Sequence, residues 1–185
     1  MRPDARRALS GLVLLTAAGL LAGCDTTNQL APSLPRVVGL QVDGAQLQIL
    51  TGTPCDGVDE IALIFSGDGD TDSLRTQLAA DAAHTVDRLR VGTGVVVDGF
   101  TTTEALPAGF DWRDYSEMDV ILDGPAGAVG ESTSDLEPVK ADGVKHSGDG
   151  TAYVRREGWL TLPEIIDGNT KSFLTACTPD PADKQ

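Results

Sequence analysis

The chain has 185 residues, with 14 basic and 28 acidic side chains and a formal net charge of −14 at pH 7. This charge disfavours binding to nucleic acid and electrostatic docking on anionic lipid head groups, because both carry negative charge. The length fits one domain that can bury a sizeable hydrophobic core, and no sequence motif predicts a cofactor.

An apolar segment over residues 8–22 follows a start that holds three arginines. The segment is too short to span a bilayer comfortably, and it occupies the place of the apolar core in a secretory signal peptide. It ends at Leu21-Ala22-Gly23-Cys24, where small residues precede a cysteine. The pattern predicts a signal peptide over residues 1–23. An ordinary signal peptide cut elsewhere and a membrane helix are the alternatives.

The sequence Leu21-Ala22-Gly23-Cys24 resembles the lipobox of bacterial lipoproteins. In that family the cysteine thiol receives a diacylglycerol, a signal peptidase cuts before the cysteine, and the new amino terminus is often acylated. The resemblance implies that Cys24 carries fatty chains such as palmitate and anchors the protein to the cell membrane on its extracytoplasmic side. Two acyl chains give a stable anchor, whereas one gives only marginal binding.

Cleavage before Cys24 would remove three arginines and one aspartate, so the net charge would change from −14 to −16. Cys55 and Cys177 would then be the two remaining cysteines, in a compartment that permits oxidation. An even pair in an exported domain predicts a disulfide between them. Two free, buried thiols are the alternative.

The clearest local pattern is a β-hairpin over residues 37–50. Leu40 and Val42 alternate with glutamine on the first strand, and Leu47 and Ile49 do so on the second. The Asp43-Gly44 pair between them predicts a type I′ turn, in which both central residues have positive φ.

Short apolar or alternating segments separated by turn residues continue along the chain. Residues 73–83 fit either a helix or a strand, and we favour a strand because the neighbouring segments are β. Residues 124–150 are predicted to be mostly loop, and residues 163–166 and 172–177 are each predicted to form a helical turn. Further strands are predicted over residues 61–65, 86–91, 95–97, 100–106, 118–122, 151–157 and 159–162. Cys55 is predicted to lie in the loop before the first of these strands.

These patterns predict an all-β fold, an antiparallel β-sandwich of Greek-key or Ig-like type with a short C-terminal helical turn. The predicted organisation is a tether over residues 24–36, the sandwich over residues 37–177 and a disordered tail over residues 178–185. The layout resembles a group of uncharacterised actinobacterial lipoproteins with a lipobox, a short tether, an early loop cysteine and a late cysteine. That resemblance implies no activity.

An acidic turn and an aromatic segment are the candidate binding sites. Asp68, Asp70 and Asp72 alternate as calcium ligands can, but the positions where an EF-hand loop needs glycine and glutamate hold serine and alanine. A solvated acidic turn is therefore favoured and no metal site is predicted. The aromatic segment is a candidate recognition surface for an envelope protein or a glycan, and core packing is its alternative. Its aromatic residues are Phe110, Trp112 and Tyr115.

No catalytic motif surrounds His84 or His146, the two histidines. The sequence therefore favours a non-enzymatic binding or scaffold module of the cell envelope. An envelope hydrolase with an unrecognised site is the alternative, and a small solute-binding component is a further one. A histidine grouped with serine and aspartate in a cleft would favour the hydrolase.

Overall fold

The computed structural model describes residues 33–68 and 72–181. The predicted signal peptide, Cys24 and Asp70 of the acidic turn lie outside these residues. The compact unit that contains the described residues begins at Ser33. Residues 33–36, which we predicted to be tether, are therefore part of this unit.

The described residues are mostly β-strand, with two short α-helices and one turn of 3-10 helix, Trp112–Asp114. The α-helices are α1, Glu137–Asp142, and α2, Leu162–Gly168. The strands are β1 (Arg36–Val37), β2 (Gly39–Asp43), β3 (Gln46–Ser66), β4 (Leu74–Val91), β5 (Val95–Val96), β6 (Thr101–Glu104), β7 (Glu117–Gly124), β8 (Gly127–Asp135), β9 (Thr151–Val154), β10 (Gly158–Thr161) and β11 (Leu174–Thr175). The strand assignment for residues 74–83 is confirmed.

The two long strands β3 and β4 pair with each other and run through both halves of one antiparallel sheet. In the first half, the order is β10-β9-β2-β3-β4-β5. In the second half, β7 pairs with the end of β3, β8 pairs with β7, and β6 pairs with the start of β4. The predicted all-β, sandwich-like fold is confirmed, and its two layers are halves of one sheet.

The sheet changes direction where the β3–β4 register shifts between Leu50 and Glu60. Such bulges bend a strand and increase its twist. Cys55 lies in this irregular stretch of β3, whereas the sequence placed it in a loop before the strand. The bend allows the inward-facing side chains of both halves to share one hydrophobic core, which includes Ile49, Leu63 and Val120 at 0% exposure.

The outer face of the first half carries a second, smaller core. Leu50, Val154 and Ile165 meet there with Phe173, so α2 covers this face of the sheet. Helix α2 begins with a capping box in which Thr161 and Glu164 bond to each other's backbone.

The predicted β2–β3 hairpin is present, but its turn differs from the prediction. Asp43 pairs with Gln46, so the two central residues are Gly44 and Ala45. Positive φ occurs at Gly44 and not at Ala45. This is the pattern of a type II′ turn, which takes glycine at its first central position, and the type I′ prediction is wrong.

Two predictions for the second half of the chain are also wrong. Residues 124–150 contain β8 and α1 as well as loop, and residues 172–177 contain β11 in place of a helical turn. Strand β8 was missed because its inward side chains are small and polar. Ser132 and Ser134 are buried there, opposite Val120 and Met118 of β7.

Candidate functional site

The start and the end of the described chain are joined to each other. Strands β1 and β11 pair in parallel, and Leu174 N–H donates to Pro35 O at 2.9 Å. The Arg36 guanidinium donates to the carbonyls of Ala176 and Thr178 at 3.1 and 2.9 Å. These contacts hold Pro35 and Arg36, the last residues of the predicted tether, in a fixed place on the domain.

The disulfide predicted between Cys55 and Cys177 is present, across 122 positions of sequence. It links the bend of β3 to the residues that follow β11. The residues after Cys177 are also packed against the domain, because Asp180 is 8% exposed and accepts a hydrogen bond from Ser33 Oγ at 2.6 Å. The disordered tail predicted from residue 178 therefore does not begin there, and residues 182–185 lie outside the described part.

A cleft of about 470 Å³ lies beside this junction. Residues 33–37 form one wall, strands β7 and β8 form another, and the turn between β9 and β10 contributes Arg155 and Arg156. A volume of this size is typical of a site for a small molecule. The cleft is the candidate functional site.

Two of the cleft's three arginines are held by the protein. Arg36 bonds to two carbonyls as described above, and Arg155 donates to Thr133 O and to Glu117 Oε2, both at 3.3 Å. The third, Arg156, is exposed, and its guanidinium has no hydrogen bond or ion pair among residues 33–68 and 72–181. Its backbone has φ of 69°, a conformation uncommon outside glycine.

Two carboxylates and several hydroxyls also line the cleft. Asp119 accepts a hydrogen bond from Thr133 Oγ1 at 2.6 Å, and Ser132 Oγ donates to Arg36 O at 3.3 Å. The Glu131 carboxylate is exposed and makes no hydrogen bond or ion pair with any described residue. The cleft thus presents one guanidinium and one carboxylate, those of Arg156 and Glu131, that bind no other described residue.

The aromatic segment does not form the recognition surface that we considered for it. Trp112 is 1% exposed and donates from Nε1 to Ala45 O at 3.3 Å, and Phe110 is 9% exposed. Tyr115 is half-buried and stacks on Phe110 with the ring centroids 5.7 Å apart. Burial, with a smaller effect of the Asp114 carboxylate, raises the pKa of the Tyr115 phenol. The three rings pack in or against the core, as expected from the core-packing alternative.

The two histidines lie in different places and neither completes a catalytic group. The His84 ring lies against the Phe100 ring at a tilt of 50°, with the ring centroids 5.5 Å apart. His146 Nδ1 lies 2.8 Å from Asp149 and 3.2 Å from Thr151 Oγ1. In a catalytic triad the nucleophile bonds to the ring nitrogen opposite the aspartate. Here the hydroxyl and the carboxylate share one nitrogen, so the arrangement is that of a loop contact.

Asp68 and Asp72 are exposed, and Asp70 lies outside the described part. Within residues 33–68 and 72–181, no three His, Cys, Asp or Glu side chains are grouped as a metal site. None of the helices described has the length and apolar character needed to cross a membrane.

Sequence reasoning missed the cleft because four separate segments build it. Arg155-Arg156 falls in the segment predicted as a strand over residues 151–157, whereas β9 ends at Val154, and β8 was predicted to be loop. The available signal was a pair of adjacent arginines in a strongly acidic chain. Compared with known proteins, the chain matches no family model, no curated protein and no solved structure.

Proposed function

We propose that this protein is a membrane-anchored extracytoplasmic lipoprotein, and that its domain is a non-enzymatic binding module. The lipobox-like sequence supports the anchor, with Cys24 as the lipidated residue. The cleft beside residues 33–37 supports binding, and it is the observation on which this proposal depends.

The position of the cleft connects the two parts of the proposal. Eight residues lie between Cys24 and Ser33, and the fully extended segment from Cys24 to Ser33 reaches roughly 30 Å. Because Ser33 lines the cleft, this side of the cleft would lie within roughly 30 Å of the lipidated cysteine. A module held there can bind components of the envelope close to the lipid.

The geometry supports binding better than hydrolysis. The His146–Asp149 pair is the arrangement closest to a catalytic group among the described residues, and Thr151 shares its Nδ1 atom. Solute capture by two closing lobes receives no support either, because residues 33–68 and 72–181 belong to one compact unit.

The binding role can be tested by filling the cleft. The full chain, extracted in neutral detergent, is incubated with a small-molecule extract of the cell envelope and measured by native mass spectrometry. We expect an adduct on the wild type that is lost in Ile121→Trp, because Ile121 lines the cleft. Val144→Trp is the matched control, since Val144 is 74% exposed and lies elsewhere. The same adduct on all three proteins, or on none, would contradict the role of the cleft.

A further inference from the structure

The charges of the cleft differ from those of the whole chain. Three of the seven arginines beyond residue 23 line it, although the chain carries twice as many acidic as basic side chains. Since Arg36 and Arg155 already bond to protein acceptors, Arg156 is the guanidinium left to bind a ligand. A guanidinium presents a fork of N–H donors that matches a carboxylate or a phosphate.

Glu131 and Thr133, whose carbonyl accepts a hydrogen bond from Arg155, lie on the same strand and line the cleft. Glu131 is two positions before Thr133 in β8, so the two side chains project on the same face about 7 Å apart. Arg155 reaches the carbonyl of Thr133, and Arg156 is the next residue of that turn. This topology brings the free guanidinium and the free carboxylate to one cleft.

The hydroxyls that line the cleft with Glu131 add further hydrogen-bond acceptors to it. Thr133 Oγ1 donates to Asp119, Ser132 Oγ donates to Arg36 O, and Ser33 Oγ donates to Asp180. Each hydroxyl has used its one hydrogen and keeps lone pairs that can accept. The carboxylates and the hydroxyls of the cleft therefore offer acceptors, which fit the N–H groups of an ammonium.

We propose that the cleft binds a small zwitterion, with its anionic group on Arg156 and its ammonium on Glu131. A simple anion would be repelled by the strongly negative chain, whereas a zwitterion has no net charge and is not. A simple cation would leave the Arg156 guanidinium without a partner. This inference rests on the proposed binding role of the cleft, and it identifies the ligand class.

Two sources share this chemistry: a free amino acid or short peptide, and the ethanolamine phosphate head group of a lipid. The probes are therefore L-alanine and glycerophosphoethanolamine, a phosphodiester with no net charge, with acetate and ethylamine as singly charged comparisons. Binding is followed by the shifts of amide and guanidinium signals in NMR spectra of the ¹⁵N-labelled full chain in neutral detergent. Tighter binding of L-alanine indicates the first source, and tighter binding of glycerophosphoethanolamine indicates the second.

We expect at least one zwitterion to bind, and to do so about tenfold more weakly in Arg156→Gln and in Glu131→Gln, since each loses a charged hydrogen bond. Arg75→Gln is the matched control, because Arg75 pairs with Glu104 on another edge of the sheet. Acetate binding as tightly as the zwitterions, or Glu131→Gln binding as wild type does, would overturn the inference. If no probe binds while Ile121→Trp still removes the envelope adduct, this inference fails and the proposed function stands. If that adduct is also absent, both fail.

Discussion

The contacts of Trp112 explain why the aromatic segment over residues 110–115 stabilises the core. Its indole is buried at 1% exposure, its N–H reaches Ala45 O in the β2–β3 turn, and the Arg113 guanidinium lies 4.5 Å from the ring centroid. The ring therefore links the loop before β7 to the hairpin of the first half of the sheet.

Replacing Trp112 should accordingly reduce stability. We expect Trp112→Ala to lower the free energy of unfolding by about 3–5 kcal/mol, because it removes a large buried side chain. Chemical denaturation of the full chain measures this value. Trp159→Ala is the control, since Trp159 is half-buried and should cost clearly less. Equal losses in the two variants would contradict the core role of Trp112.

The first turn of α2 contains a titratable group whose effect on stability has a defined sign. Hydrogen bonds from the backbone N–H and the hydroxyl of Thr161 lower the pKa of the Glu164 carboxyl. A carboxyl with a lowered pKa in the folded state stabilises the fold above its ordinary pKa of about 4.3. That contribution is lost as the pH falls through the lowered value.

We therefore expect Glu164→Gln to destabilise the domain at pH 7 and to have a smaller effect at pH 3. Thermal unfolding across this pH range measures the difference. Glu157→Gln is the control for the loss of one negative charge, because the Glu157 carboxylate has no hydrogen bond among the described residues. A Glu164→Gln effect that does not change with pH would contradict this explanation.

At the scale of the secondary-structure elements, β8 depends on close packing against the disulfide. A side chain at Gly130 would place its Cβ 2.6 Å from Cys177 Sγ and 2.7 Å from Ala176 O. Neither neighbour can move freely, since the disulfide and the β1–β11 pairing hold this segment. Glycine at this position lets the edge strand approach the end of the chain.

Gly130→Ala should therefore lower the free energy of unfolding by about 1–3 kcal/mol, the usual cost of overpacking. Gly94→Ala is the matched control, because a Cβ at Gly94 would meet no atom within 4 Å and its φ is not positive. The midpoints of urea unfolding compare the two variants. If both variants keep the wild-type midpoint, the close packing of β8 is not important for stability.

Periodicity explains which elements were predictable. In β2 and at the start of β3, large apolar side chains alternate with glutamine, and that pattern indicates a strand with one buried face. The end of β3 and the middle of β7 are short apolar runs, which are typical of a more buried strand. In β8 the buried positions hold Gly130, Ser132 and Ser134, so alternation in size and polarity is weak. Residues 172–177 were also misassigned, because two-residue β11 is defined by its pairing with β1 and not by its own sequence.

At the scale of the whole molecule, the disulfide and the functional site differ in how far the sequence could predict them. Cys55 and Cys177 are the only cysteines beyond Cys24, so counting predicted their bond. The cleft needs residues 33–37, β7, β8 and the β9–β10 turn to meet, and no local pattern encodes that meeting. The aromatic segment was a poor guide to the binding site because Phe110 and Trp112 are buried in the core.

The junction of the two chain ends fits a protein that is held at its amino terminus. A force on the segment before Ser33 would act first on the hydrogen bond from Ser33 to Asp180, and then on the contacts of Arg36 with Ala176 and Thr178. From there it passes through Cys177 to Cys55 in the bend of the sheet. The cleft lies beside this connection, so the anchor and the binding site would lie on the same side of the domain.

The most direct test of an anchored binding module is the intact mass of the full chain extracted from the membranes of cells that express it. The account predicts a polypeptide that begins at Cys24 and carries the mass of a diacylglycerol, with or without an amino-terminal acyl chain. It also predicts that Cys24→Ala leaves the detergent phase in which the wild type is found. An unmodified Cys24, or equal partition of the wild type and Cys24→Ala into detergent, would contradict the account.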